Sequence, residues 1–244
     1  MTTVSDAISL SVVIPVYNEE KNIRETLRKV SAFLSLKKIS WEIIVVSDGS
    51  TDKTHEILDA VLQEQPASPF KVLKVKDNHG KGYASRAGIL EARGRYVLMT
   101  DADLSAPIKE VDKLIVAIEK GADVAIGSRA VRSPGCDVRQ SLRRRISGRI
   151  FNFFVQLFVL RGIQDSQCGF KCFTNSAAKR IFPLQKLEGF SFDVEILFLA
   201  RKCGYKIAEV PVMWSQGLDS RISLLRDSIR MLKDLLKIKK LHGD

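Results

Sequence analysis

Over its first 126 residues the chain alternates short, continuously apolar runs with segments of helical periodicity, and this alternation restricts the fold more than any other feature. Residues 10–16 (LSVVIPV), 41–46 (WEIIVV), 70–76, 96–100 (YVLMT) and 123–126 are rich in aliphatic and β-branched residues and too short for helices. Between them, 19–36, 52–65, 81–92 and 108–120 carry helical patterns, the second opened by the capping-type residues Ser50, Thr51 and Asp52. Strands apolar along their whole length must be covered on both sides. The pattern therefore predicts an α/β fold with a mostly parallel, doubly wound sheet and helices on both faces. At 244 residues there is room for one such domain and an appendage.

After Gly127 the pattern changes. Residues 169–174 and 207–213 read as strands and 192–203 as a helix that complete the sheet. Between them, 129–149 hold seven arginines against one acid, Asp137, and run into RRRISGRIFNFFVQLFVL, with Phe151, Phe153, Phe154 and Phe158 close together. From 224 onward a basic helix is expected, with Leu225, Ile229, Leu232, Leu235 and Leu236 on one side. The net charge of +11 is concentrated in 129–149 and 221–244, so a near-neutral domain carries two cationic patches that call for a polyanionic partner. The expected division is a domain over 1–215, including a basic, Phe-rich segment at 129–161, and a C-terminal amphipathic helix over 216–244.

Several classes drop out. Cys136, Cys168, Cys172 and Cys203 are too scattered for a disulfide framework, and no histidine lies near the closest pair to complete a zinc site. No signal peptide is read at the N-terminus, and no run approaches the ~20 apolar residues of a spanning helix. Neither a Gly-x-Gly-x-x-Gly nor a Walker sequence occurs. A nucleic-acid-binding protein is the alternative of another class and would show salt-sensitive affinity. The basic runs lie beside an apolar helix, however, and no nucleic-acid partner is expected.

In open α/β sheets, ligands bind beyond the carboxyl ends of the strands. Three polar motifs occupy such ends: Pro15-Val16-Tyr17-Asn18-Glu19, Ser47-Asp48-Gly49-Ser50 and Asp101-Ala102-Asp103. Two carboxylates spaced as Asp101 and Asp103 can share a hard cation, Mg²⁺ or Mn²⁺, whose remaining ligands are phosphate oxygens. A nucleotidyltransferase also uses such a pair but leaves the Phe-rich segment unexplained. Asp48 either accepts a hydrogen bond from a base or ribose or caps a turn. Gly80 and Gly82 open a helix that can face phosphate.

Taken in order, SVVIPVYNEE, IIVVSDGSTDKT and NHGKGYASRAGILEARGRYVLMTDADLS resemble glycosyltransferase family 2 over about residues 9–215. DSQCGFKCFT, GFSFDVEIL and VPVMW resemble its polyprenyl-phosphate branch, the dolichyl-phosphate β-glucosyltransferases more than the dolichol-phosphate mannosyltransferases. The resemblance implies a GT-A fold and a nucleotide-sugar donor, with UDP-glucose favoured. It sets Pro15, Tyr17, Glu19 and Asp48 around base and ribose, and Asp101, Ala102 and Asp103 at the diphosphate, the two aspartates holding the metal. Two positions depart from the pattern: Ser47 replaces an Asp of many relatives, and Ser105 replaces a Gln of some mannosyl relatives.

The acceptor is expected to be a polyprenyl phosphate. A phosphate monoester has a second pKa of about 6 and is largely ionised at neutral pH, so it needs cationic clamps rather than a general base. Arg129, after the fifth strand, leads the candidates, followed by Arg143, Arg144, Arg145 and Lys171; the resemblance favours Arg129 and Lys171. Asp193 either orders the acceptor-side arginines or acts as base toward a saccharide hydroxyl, the alternative reading within the family. The Arg-to-Phe transition predicts an interfacial helix over 139–161, with 221–240 as a second membrane contact. A peripheral enzyme on the cytoplasmic face follows, with a membrane-protein partner or a second copy as its anchor.

Overall fold

The computed structural model describes residues 8–215 and 226–243. Seven strands form one sheet: β1 (Leu10–Val16), β2 (Trp41–Asp48), β3 (Phe70–Val75), β4 (Tyr96–Met99), β5 (Val124–Ser128), β7 (Lys171–Thr174) and β8 (Ile207–Pro211). Their order is β3-β2-β1-β4-β7-β5-β8. Neighbours run parallel except β7, which is antiparallel to both β4 and β5. Two further strands, β6 (Val138–Arg139) and β9 (Trp214–Ser215), pair with each other apart from this sheet.

The helices are α1 (Ile23–Ser35), α2 (Thr54–Glu64), α3 (Lys81–Glu91), α4 (Val111–Glu119), α5 (Leu142–Phe158), α6 (Asn175–Ile181), α7 (Phe192–Lys202) and α8 (Arg226–His242). Alternation along the strands sorts the apolar side chains into two cores. Leu10, Val12 and Ile14 of β1 and Ile43 and Val45 of β2 meet Leu27 and Val30 of α1, Leu58 of α2 and Leu114 of α4. On the opposite face Val13, Ile44 and Val46 meet Ile89 of α3, Ile181 of α6, Leu197 of α7 and Leu235 and Ile238 of α8. The expected doubly wound sheet is present, and the uninterrupted apolar strands are what two cores require. Gly88 lets α3 lie close to the sheet, since a Cβ there would sit 2.5 Å from Val13 Cγ1.

Four local readings are corrected. Helix α1 starts at Ile23 rather than 19 because the intervening loop bonds across to the next one. Asn18, at φ 53°, accepts from the amides of Thr51 (2.7 Å) and Asp52 (3.3 Å), and the Glu19 amide donates to Thr54 Oγ1 (2.8 Å). Helix α6 was not anticipated; the Thr174 hydroxyl caps it by accepting from the Ala177 amide (3.2 Å). The β6–β9 pair joins segments too far apart for a local signal. In α8, Leu235 and Ile238 are buried against the domain while Leu236 is exposed, so the apolar face covers the core instead of facing a membrane. Arg221 and Leu225 and the side chain of Ile229 lie outside the described residues. Among the described residues no helix is long and apolar enough to cross a membrane.

Candidate active site

The carboxyl ends of β1, β2 and β4 form one rim, as the parallel register of these strands demands. Because β7 runs the other way, its first residue, Lys171, lies opposite Met99 and arrives at this same rim. Arg129 follows the end of β5, and Asp193 sits in the first turn of α7. Residues spread over more than ninety positions thus converge on Asp101.

Asp101 is held by an ion pair from Lys81, the first residue of α3 (Oδ1 to Nζ 2.6 Å). Burial alone would raise the Asp101 carboxyl, but the charges of Lys81, Lys171 and Arg129 outweigh it and hold the pKa below the ordinary range. For Lys81 burial works downward, yet Asp101, Asp193 and Asp103 leave its pKa raised. Gly169 packs so tightly on Asp101 that a Cβ would fall 2.2 Å from Oδ2. Asp103 is exposed and folds back to accept from the Ser105 amide (2.9 Å) and hydroxyl (2.8 Å). Between the two aspartates Ala102 is buried, its carbonyl accepting from the Thr26 hydroxyl.

Lys171 is fully buried, ion-paired to Asp193 and donating to the Cys168 carbonyl (2.6 Å). Arg129 is clasped by Asp165, which accepts from its amide (2.8 Å), Nε (2.7 Å) and Nη2 (2.7 Å), while the guanidinium lies 5.3 Å from the Trp214 ring centre. Burial would raise the Asp165 carboxyl; the paired guanidinium overrides it and lowers the pKa. Both cations expected to grip an acceptor are therefore already carboxylate-bound. Burial pushes the Cys168 thiol up to about 11 and the Cys172 thiol to about 12, which keeps both protonated and unsuited to metal ligation at neutral pH.

On the nucleotide side, Tyr17, Glu19 and Asp52 line a 380 Å³ cleft beyond β1, and Pro15 lies buried in the strand beneath. Asp48 is buried, and its carboxylate accepts from the amides of His79 (3.1 Å) and Gly80 (2.6 Å). It caps the loop leading into α3 and so fixes where Lys81 emerges. The capping possibility is realised here, although on the neighbouring loop and not on its own.

Beyond Arg129 opens a 720 Å³ cavity bordered by Arg129, Asp165, Asp193, Met231 and one stripe of α5. That stripe centres on Arg145, Arg149, Asn152 and Gln156, with Phe151 and Phe153 on its flanks also reaching the wall. Its neighbour on the helix, Leu142, Ile146, Ile150, Phe153 and Leu157, is at least half exposed at every position. The third side, with Phe151, Phe154 and Val155, packs on the core. The side chains of Arg143 and Arg144 lie outside the described residues. Two participants were not singled out in the sequence, Lys81 and Asp165. The Gly-Lys-Gly after the third strand was a usable signal for Lys81; nothing in spacing pointed from Arg129 to Asp165.

Three cations, Lys81, Arg129 and Lys171, face four carboxylates, Asp101, Asp103, Asp165 and Asp193. The cluster has no positive excess with which to hold a diphosphate. Two aspartate side chains at the rim form an all-oxygen donor set that suits a hard divalent cation completing its sphere with phosphate and water. Among the described residues no group of three or more potential ligands forms a closed cage.

Known proteins share the sequence pattern and the fold of this chain. The model of the family described as glycosyl transferase family 2 matches residues 11–182. The chain is 40% identical over 244 residues to the dolichyl-phosphate beta-glucosyltransferase of Dictyostelium discoideum, covering 96% of this chain and 75% of that one. It is 41% identical to the enzyme of that name from Saccharomyces cerevisiae (96% and 75%) and 35% to that of Homo sapiens (94% and 74%). Among solved structures, glucosyl-3-phosphoglycerate synthase from Mycobacterium tuberculosis in complex with UDP superposes with a TM-score of 0.65 at 20% identity, covering 94% of this chain and 80% of that one. The same enzyme with Mn²⁺, UDP and glucosyl-3-phosphoglycerate gives 0.67 at 19% (97% and 80%). The sheet order with its single antiparallel strand is that of a GT-A fold. The chain belongs to glycosyl transferase family 2 and is a glycosyltransferase.

Proposed function

We propose that the chain moves glucose, with inversion, from UDP-glucose to a polyprenyl phosphate such as dolichyl phosphate at a membrane surface. The observation that carries this reading is the 720 Å³ cavity, which joins the Asp101 cluster to a helix bearing an arginine stripe beside an exposed apolar stripe. An acceptor that is anionic at one end and hydrocarbon at the other matches both stripes. The names of the relatives at 35–41% identity support a glucosyl group and a dolichyl-phosphate acceptor.

An acceptor phosphate oxygen attacks the anomeric carbon, a new C–O bond forms, and the bond from that carbon to the UDP oxygen breaks. The monoester arrives ionised, so no side chain has to take a proton. Arg129, oriented by Asp165, and Arg145 and Arg149 on α5 hold the acceptor phosphate. Mg²⁺ or Mn²⁺ on Asp101 and Asp103 would neutralise charge on the departing diphosphate. Lys81 stands next to that position and can transfer its ion pair from Asp101 to a phosphate oxygen. Asp193 acts as a positioning partner, since its carboxylate is bound to Lys171. The exposed face of α5 rests on the lipid surface as an interfacial helix.

The test is a panel of nucleotide sugars with polyprenyl phosphate and either metal, following lipid-linked sugar. UDP-glucose should give product and lose it on chelation. Transfer to a soluble glycan with none to the lipid would overturn the reading and favour a saccharide hydroxyl as acceptor.

A further inference from the structure

Residues 165–169 bridge the two halves of the site. At one end Asp165 holds Arg129 through three hydrogen bonds. At the other, Gly169 lies against the Asp101 carboxylate. Ser166 is three residues from Gly169, a distance the chain can span in at most about 11 Å. The residue is 1% exposed and borders the 720 Å³ cavity. Its Oγ has no hydrogen-bond partner among the described residues. In the same wall Asn152 Oδ1 is also without a partner, its Nδ2 already donating to the Ile163 carbonyl (3.1 Å).

Buried polar atoms are rarely left unbonded, because desolvating them without return is unfavourable. A cavity shaped for hydrocarbon alone has no use for two of them. A serine hydroxyl donates one hydrogen bond, and beside Arg129 the strong acceptors that enter are phosphate oxygens. We propose that the Ser166 hydroxyl binds the phosphate of the acceptor and orients the oxygen that attacks the sugar. This deepens the acceptor reading above and rests on it: the arginines supply charge, and Ser166 supplies direction.

Steady-state kinetics of Ser166→Ala and Ser166→Thr, with UDP-glucose and polyprenyl phosphate in detergent micelles, test the assignment. Alanine should lower kcat/KM for the lipid roughly 10-fold or more, the scale of one hydrogen bond to a charged group. The KM for UDP-glucose should stay at the wild-type value, which general disorder of the site would not allow. Threonine keeps the hydroxyl and should stay within about 3-fold of wild type. Wild-type kcat/KM in the alanine variant, or equal losses toward donor and lipid, overturns the proposal. If alanine lowers the melting temperature too far, Ser166→Cys, of similar size but a weak donor, replaces it; activity equal to that of threonine then overturns it. A wild-type enzyme that makes no lipid product overturns the acceptor reading as well, and is recognised because the parent, not the variant, fails.

Discussion

The donor rim and the acceptor cavity differ in what they leave unpaired. At the rim, polar side chains are spent on the protein itself: Asn18 on the 51–52 amides, Asp48 on the 79–80 amides, Asp103 on Ser105. Around the cavity, Ser166 Oγ and Asn152 Oδ1 have no partner among the described residues, and one face of α5 is apolar and exposed. The rim is a finished frame that lacks only charge to hold a diphosphate. The cavity is unfinished in both polar and apolar terms, as expected where a ligand with a charged head and a hydrocarbon tail completes it.

The sharpest way to break this contrast is to remove charge from the frame. Asp101→Asn should cut transfer on the order of 10³-fold, because a metal ligand is lost where the leaving group departs. Gly169→Ala should reproduce much of that loss, since its Cβ would displace the same carboxylate. Near-wild-type rates in both would place the diphosphate elsewhere.

Where the two regions meet, the expected effect is on stability. Asp165→Asn leaves the Arg129 guanidinium without its counter-charge, and breaking such a buried pair costs about 3–5 kcal/mol. Asp165 has a depressed folded-state pKa, so its stabilisation is present above the unfolded carboxylate value and lost as pH falls through the lowered one. The gap in melting temperature between wild type and variant should therefore hold constant from about pH 8 to 5 and close below about pH 4. A gap that varies between pH 5 and 8 would mean another group carries the pair.

The mildest intervention touches only the exposed stripe. Ile150→Ser with Leu157→Ser should weaken binding to vesicles of phosphatidylcholine and phosphatidylserine by roughly 10- to 100-fold, since each half-exposed side chain can gain about half of the ~1.5–3 kcal/mol of full burial. Melting temperature should not change, and activity on a short water-soluble acceptor should fall less than on vesicle-borne lipid. Unaltered vesicle binding would detach α5 from the membrane.

Legibility in the sequence follows the same division. The rim was readable because each motif directly follows its own strand, and a parallel sheet delivers all such ends to one edge. Asp101 and Asp103, just after β4, are assigned to that edge on this ground. Residue types point to Arg129 and Lys171 as clamps and to Asp193 as either their organiser or a base; the particular pairs, Arg129 with Asp165 and Lys171 with Asp193, are set only by the fold. Lys81 is harder to read because its flanking glycines signal a backbone role, while its pairing with Asp101 depends on the fold.

Periodicity and apolar run length alone determined the doubly wound sheet, since burial on two faces leaves no other use for strands such as 10–16 and 41–46. They also predict an amphipathic helix over 139–161, where α5 lies. Tertiary structure alone decided which of its faces is exposed, that α8 turns its apolar side inward, and that β7 inserts antiparallel to bring Lys171 to Asp193. The physical reason is range. Helical and strand patterns are set by neighbours a few residues apart, whereas ion pairs such as Arg129–Asp165 join groups that only the folded sheet brings within hydrogen-bonding distance.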